Sequence, residues 1–163
     1  MTPPEVEYAC RLLARWLPRE VLTDAAIQVG EQVYRCPECL PSGYLVPAAE
    51  ATRGLITIKT PFWAPTTAAG IALMAHEFYH QLQFKSMTRE QLAEYEYWER
   101  LLEEGKIQPW EHPLEEPAYR LEAQVYCKLL REGAAPGPFV PLGASVFGCS
   151  PSPAAPHPKL GPG

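Results

Sequence analysis

The stretch from 67 to 85, TAAGIALMAHEFYHQLQFK, is apolar on nearly every side of the helix it would form. Ile71, Met74, Ala75, Phe78 and Leu82 fall on one face, and Ala69, Ala72 and Leu73 fall on the side that carries His76 and His80. A helix that is apolar almost all round is a buried one. The rest of the chain must therefore wrap around this segment, and the polar trio in its middle needs an explanation. His76 and His80 are four residues apart, so they project from the same face, one turn apart. Glu77 lies about 100° round the helix from His76, beside the pair and not opposite it.

Left unpaired in a core, such a trio would cost several kcal/mol, on the order of 2–7 for each polar group. Metal ligation removes that cost. Neutral imidazoles at i and i+4 can both reach one zinc ion at about 2.0–2.1 Å. The carboxylate beside them can then take a proton from a water polarised by the ion, which is the mechanical content of H-E-x-x-H. The plainer alternative is a pair of satisfied core histidines.

A catalytic zinc takes a third protein ligand. The candidates lie downstream, in WEHPLEEPAYRLEAQVY at 110–126. A helix is expected from about Leu114 to Arg131, with Leu114, Ala118, Leu121, Val125 and Leu129 as its apolar stripe. Glu115 and Glu122 flank that stripe together with Tyr119 and Tyr126, while Glu116 points away. Pro117 belongs in a first turn, which places Glu115 near the helix start. This geometry leaves Glu115 and Glu122 both open as ligands. His112, in the loop after Trp110, is a further alternative.

Around these two helices the pattern predicts an α+β domain. Residues 3–17 read as a helix with Thr2 as its cap and a capping box to Glu5. Between about 27 and 60, IQVGEQVYRC, GYLVPA and GLITIKT read as a small antiparallel sheet of about three strands, with a turn at Arg53-Gly54. A further helix is expected at about 89–104, with Leu92, Tyr95, Leu101 and Leu102 turned inward and a stop at Gly105; its tyrosines are read as core packing ahead of lining a substrate cleft. The domain is expected over 1–140. Eight of the chain's 19 prolines fall after Gly133, and 141–163 reads as a Pro/Gly-rich tail, loosely attached at its end.

The net charge of −5 argues against a nucleic-acid partner, which needs a basic face. No apolar stretch reaches the roughly 18 residues of a membrane span, and MTPPEVEYACRLLARWL lacks the pattern of a signal peptide. The expectation is a cytoplasmic protein without a membrane or nucleic-acid partner. With five cysteines and no secretory signal, a disulfide scaffold is not expected. CPEC, Cys36 to Cys39, has the spacing of half a structural zinc site, but a second CxxC is missing. It is read as a hairpin turn with two spare thiols ahead of a second zinc site or a redox pair.

HEFYH followed 35 residues later by EEPAY resembles the gluzincin branch of the zincin metallopeptidases, and most of all its short soluble minimal domains. The resemblance covers about residues 44–131. It implies a zincin-like fold of a small sheet on about four helices, and one catalytic Zn2+ held by His76, His80 and Glu115. Glu77 would be the general base. Many gluzincins carry Asp where this chain has Tyr119, and that Asp orients a ligand histidine. Tyr119 would do so through its hydroxyl or donate to an oxyanion; a core aromatic is the plain alternative. The resemblance also implies a strand, GLITIKT, beside the cleft, pairing with an extended peptide or protein substrate. The expectation is a zinc metallopeptidase hydrolysing peptide bonds. Two alternatives stand beside it: a non-catalytic zinc-binding interaction module whose site a fourth protein ligand closes, and a latent peptidase activated by a partner. The ligand set also suits manganese, cobalt or iron.

Overall fold

A computed structural model of the chain describes residues 3–30 and 48–149. The elements run α1 (Pro4–Leu13), α2 (Arg19–Asp24), β1 (Ala26–Val29), β2 (Ala49–Thr52), β3 (Leu55–Ile58), α3 (Ala68–Ser86), α4 (Arg89–Glu103), α5 (Glu116–Arg131) and α6 (Leu142–Phe147), with single 3-10 turns at Thr60–Phe62 and Pro109–Glu111.

The central element is α3. Thr67 caps it, its hydroxyl accepting the Gly70 N–H at 3.1 Å. Its residues from Ala68 to Phe78 are all buried, the two chemically demanding ones included. Phe78, Ile71 and Met74 are at most 1% exposed. Val6, Leu13 and Val21 of α1 and α2 and Ile56 and Ile58 of β3 belong to the same core cluster, and α5 packs along α3 more extensively than any other element. Burial on all sides is what the all-round apolar sequence requires.

The sheet is mixed, not antiparallel as expected from its strands. Its order is β1-β3-β2. β2 and β3 form an antiparallel hairpin that pairs Ala49 with Ile58 and Thr52 with Leu55, and β1 pairs with β3 in parallel. Strand patterning carries burial and not direction, so a parallel partner looks like an antiparallel one in sequence. Alternation does identify β3 as the central strand: Ile56 and Ile58 are buried while Leu55 and Thr57 are half-buried. The hairpin turns at Gly54 with φ of +82°, a conformation that glycine adopts without penalty. Gln81 of α3 ties this hairpin to the central helix, accepting the Gly54 N–H at 2.8 Å and donating to the Thr52 carbonyl at 2.7 Å.

Other departures have local causes. Pro3, not Thr2, occupies the N-cap position of α1, without a side-chain capping bond. α1 ends at Leu13, and Leu17 reaches the core from the link to α2, a six-residue helix too short to show a period. α4 starts as expected, with Thr88 and Gln91 forming a reciprocal capping box. However, it buries none of its residues, and Leu92 is 39% exposed. Tyr95 and Leu102 of its stripe line a cleft, and the stripe is not a core face.

Six helices are present among the described residues where about four were expected. The last, α6, lies inside the stretch read as a tail and packs on α5. A Cβ on Gly143 would overlap the Tyr119 carbonyl, so the two helices approach backbone to backbone at that point. Cys127 of α5 and Cys149, just past α6, form a disulfide. That departs from the expectation that the chain is not built on disulfides. Disulfides persist in oxidising surroundings and are rare in the cytoplasm, so the bond pulls against the cytoplasmic expectation. Cys36, Cys39, the GYLVPA strand and the end of the tail from Ser150 lie outside the described residues. No helix among the described residues is long and apolar enough to cross a membrane.

Candidate metal centre

His76 and His80 converge on Glu115. Nε2 of His76 lies 2.9 Å from Oε1 of Glu115, Nε2 of His80 lies 3.0 Å from the same oxygen, and the two Nε2 atoms are 3.2 Å apart. Ligand atoms held tetrahedrally about 2.0–2.1 Å from a common centre sit about 3.3 Å from one another. The triangle is thus close to the one a small divalent cation would hold. The three residues form the one group of potential metal ligands among the described residues. His76, His80 and Glu115 are the residues that fit a metal ion.

The remote side of each ring supports the same reading. Nδ1 of His80 lies 2.8 Å from the side-chain oxygen of Gln83, whose amide N–H donates to the Leu114 carbonyl at 2.9 Å. The bond to Leu114 fixes which way the amide faces, so its oxygen accepts from Nδ1 and the Nε2 lone pair points into the triangle. Nδ1 of His76 sits 3.0 Å from Oε2 of Glu122, a side chain 2% exposed. The other oxygen of Glu122 accepts the Gly143 N–H of α6 at 2.7 Å. Both imidazoles turn Nε2 inward; the outer nitrogen of His80 is hydrogen-bonded to Gln83, while that of His76 lies close to Glu122 without a well-formed hydrogen bond among the described residues.

Glu122 is accordingly an orienting residue and not a member of the ligand group, while Glu115 is. Glu116 points outward, accepting from Arg120 Nε at 2.6 Å. His112 is fully buried, yet it stands apart from the ligand group. Its Nδ1 accepts the Leu114 N–H at 3.1 Å.

The electrostatics follow from burial and proximity. Burial alone would lower the His76 pKa, but the Glu115 and Glu122 carboxylates outweigh it and hold it well above the ordinary 6.5. At His80 burial again lowers, and Glu115 again prevails and raises. Burial works against the Glu115 carboxylate, but the two imidazoles hold it well below the usual carboxylate range. Glu77 goes the other way: burial pushes it up to about 7 against the pull of His76 and His80. Its Oε2 is buried and has no hydrogen-bond partner among the described residues.

The trio opens into a cleft of about 350 Å³. Glu77 and Tyr119 line it beside the ligands, and α4 contributes Tyr95 and Glu99. The Tyr119 ring meets His76 edge to face, with centroids 4.4 Å apart. Burial and then the nearby carboxylates raise its phenol well above the ordinary value, so it carries its proton. The segment Phe139–Ser145, leading into α6, closes one side. β2 borders the opening through Ala49 and Glu50 and is an edge strand. β3, the strand expected to offer its edge, is paired on both sides and has none to offer.

Three contributors escaped the sequence reading. Gln83 was visible in principle, since it lies one turn beyond His80 on the same helix. Glu99 and the segment before α6 were not, because nothing local reports that they meet the trio. Tyr95 lines the cleft, the less favoured of the two readings of the α4 tyrosines. No known family model matches this chain, and neither does any curated protein or solved structure.

Proposed function

We propose that the chain is a zinc-dependent hydrolase of peptide bonds. The observation that carries the reading is the convergence of His76 Nε2, His80 Nε2 and Glu115 Oε1 beside a buried Glu77 carboxylate with an unpartnered oxygen, all in the wall of one cleft. A zinc ion held by the trio would supply a Lewis-acid centre able to polarise water and a substrate carbonyl.

The chain's own residues supply the rest. Glu77, poised by burial near neutrality, takes a proton from the attacking water and passes it to the leaving amine. Tyr119, with its proton retained, donates to the oxyanion that develops on the scissile carbonyl. Gln83 and Glu122 keep the imidazoles in register through their outer nitrogens. The edge of β2, unpaired among the described residues, offers backbone groups to an extended peptide, which gives affinity with little sequence choice. The alternative of a non-catalytic zinc module needs a fourth protein ligand. His112, the candidate for it, faces Glu99 and not the trio, which favours the catalytic reading.

The test is cleavage of a mixed peptide library by the zinc-loaded protein and by Glu77→Gln. The reading predicts cleavage by the wild type and loss of about 10²–10⁴-fold in the variant, with zinc retained. Equal cleavage by both would sink the role of Glu77, and no cleavage by a zinc-loaded wild type would return the site to a non-catalytic or partner-dependent role.

A further inference from the structure

The cleft carries more negative charge than its proposed chemistry uses. Six glutamates line it: Glu50, Glu77, Glu99, Glu103, Glu115 and Glu122. Glu115 belongs to the ligand trio, Glu122 faces His76 and Glu77 is the proposed base. Glu50, Glu99 and Glu103 remain, and no lysine or arginine lines the cleft among the described residues.

Glu99 is the best placed of the three. It sits on α4, across the cleft from the trio, with its side chain 29% exposed. The Tyr95 hydroxyl, one turn earlier, bonds to it. Behind it lies an independent feature. His112 is fully buried, and its Nδ1 accepts from Leu114, so the neutral ring carries its proton on Nε2. That Nε2 makes no well-formed hydrogen bond among the described residues. It lies against the backbone of Tyr95 and 3.8 Å from Oε1 of Glu99, beyond direct hydrogen-bond reach. Tyr95 favours a charged Glu99, while burial and the facing Glu115 carboxylate work against it and push it up to about 7, a cost that a cation in the cleft would relieve. Its open side faces the cleft.

A carboxylate supported from behind and lacking a cation in front is a receptor for one. We propose that Glu99 is the specificity-determining residue of the cleft, its carboxylate receiving a protonated amine or a guanidinium of the substrate, with Tyr95 as a positioning residue. The proposal rests on the peptidase reading and names the substrate class: peptides carrying a positive charge near the scissile bond, either a basic side chain or a free amino terminus. Glu103, one turn further along α4, adds to the same field.

The test measures binding, so that it does not depend on turnover. Three hydroxamates are titrated into the zinc-loaded protein by calorimetry: N-acetyl-norleucine hydroxamate, which is neutral; N-acetyl-lysine hydroxamate, with a charged side chain; and norleucine hydroxamate, with a free α-amine. The expected result is that at least one cationic probe binds about tenfold or more tightly than the neutral one. Glu99→Gln should remove that preference and leave affinity for the neutral probe unchanged. The probe that gains tells side chain from amino terminus. Tyr95→Phe should reduce the preference without abolishing it, which a purely structural role for Tyr95 would not do. Equal binding of all three probes, or a preference that survives Glu99→Gln in a folded protein, would overturn the proposal while leaving the metal site intact. A folded protein that binds none of the three would overturn the metal-site reading, and this proposal with it.

Discussion

Glu122 lies 3.0 Å from Nδ1 of His76, and its other oxygen accepts the Gly143 backbone N–H at 2.7 Å. One buried carboxylate thus joins the proposed metal ligand to the helix that closes the far side of the cleft. It also explains why α6, made from a stretch that reads as tail, packs where it does.

Glu122→Gln separates the two contacts. The amide oxygen still accepts from Gly143, but the amide N–H₂ now faces a ring nitrogen that donates. Zinc affinity is expected to fall about 10–100-fold, the usual cost of losing an outer-shell acceptor. A chelator competition measures it, and a melting curve checks that the fold survives.

The zinc-free protein should lose stability as pH rises. The folded pKa of Glu77 is raised from 4.5 to about 7, and those of His76 and His80 are raised above 6.5. In all three the folded state binds more protons than the unfolded one. The stability they contribute is present below the unfolded values and is lost as pH climbs through the folded ones. Zinc reverses the slope, because the ion must displace the imidazole protons, and its affinity weakens as pH falls. Melting temperatures with and without chelator across pH 6–9 should therefore diverge, and calorimetry should register proton release on zinc binding.

Tyr119→Phe keeps the ring that meets His76 edge to face and removes only the hydroxyl. If the hydroxyl serves the oxyanion, kcat falls about 10²–10³-fold with zinc content and melting temperature unchanged. Loss of zinc affinity instead would assign Tyr119 to ligand orientation.

The Cys127–Cys149 disulfide spans 22 residues and closes a loop over α6. Chain-entropy arguments for a loop of that size give about 3 kcal/mol. A mild dithiol reductant, or Cys149→Ser, should lower the melting temperature by several degrees. Because α6 carries the Gly143 contact to Glu122, the same treatment should weaken zinc binding.

Much of the candidate site was legible because it is local. His76, Glu77 and His80 sit within one and a half turns of a helix whose pattern demands burial, and Glu115 is one of two carboxylates on the right face of the next strongly periodic helix. The choice between Glu115 and Glu122 was not legible in the helix pattern, and only the resemblance pointed to Glu115. Both flank the same stripe, and only the placement of α5 against α3 puts one at the Nε2 atoms and the other at Nδ1. Strand direction was hidden for a similar reason: β1 and β3 have the same composition in either sense. The role of α4 was misread because its stripe is apolar enough for a core helix, but Tyr95 and Leu102 face a cleft and Leu92 is exposed.

The most direct test of the account is the zinc content of the purified chain, measured beside Glu115→Ala. The account predicts about one zinc per wild-type chain and little or none in the variant, with both proteins folded. A folded wild type without bound metal would mean that HEFYH is packed core, its histidines satisfied by Glu115, Glu122 and Gln83 alone, and the proposed function would fall with it.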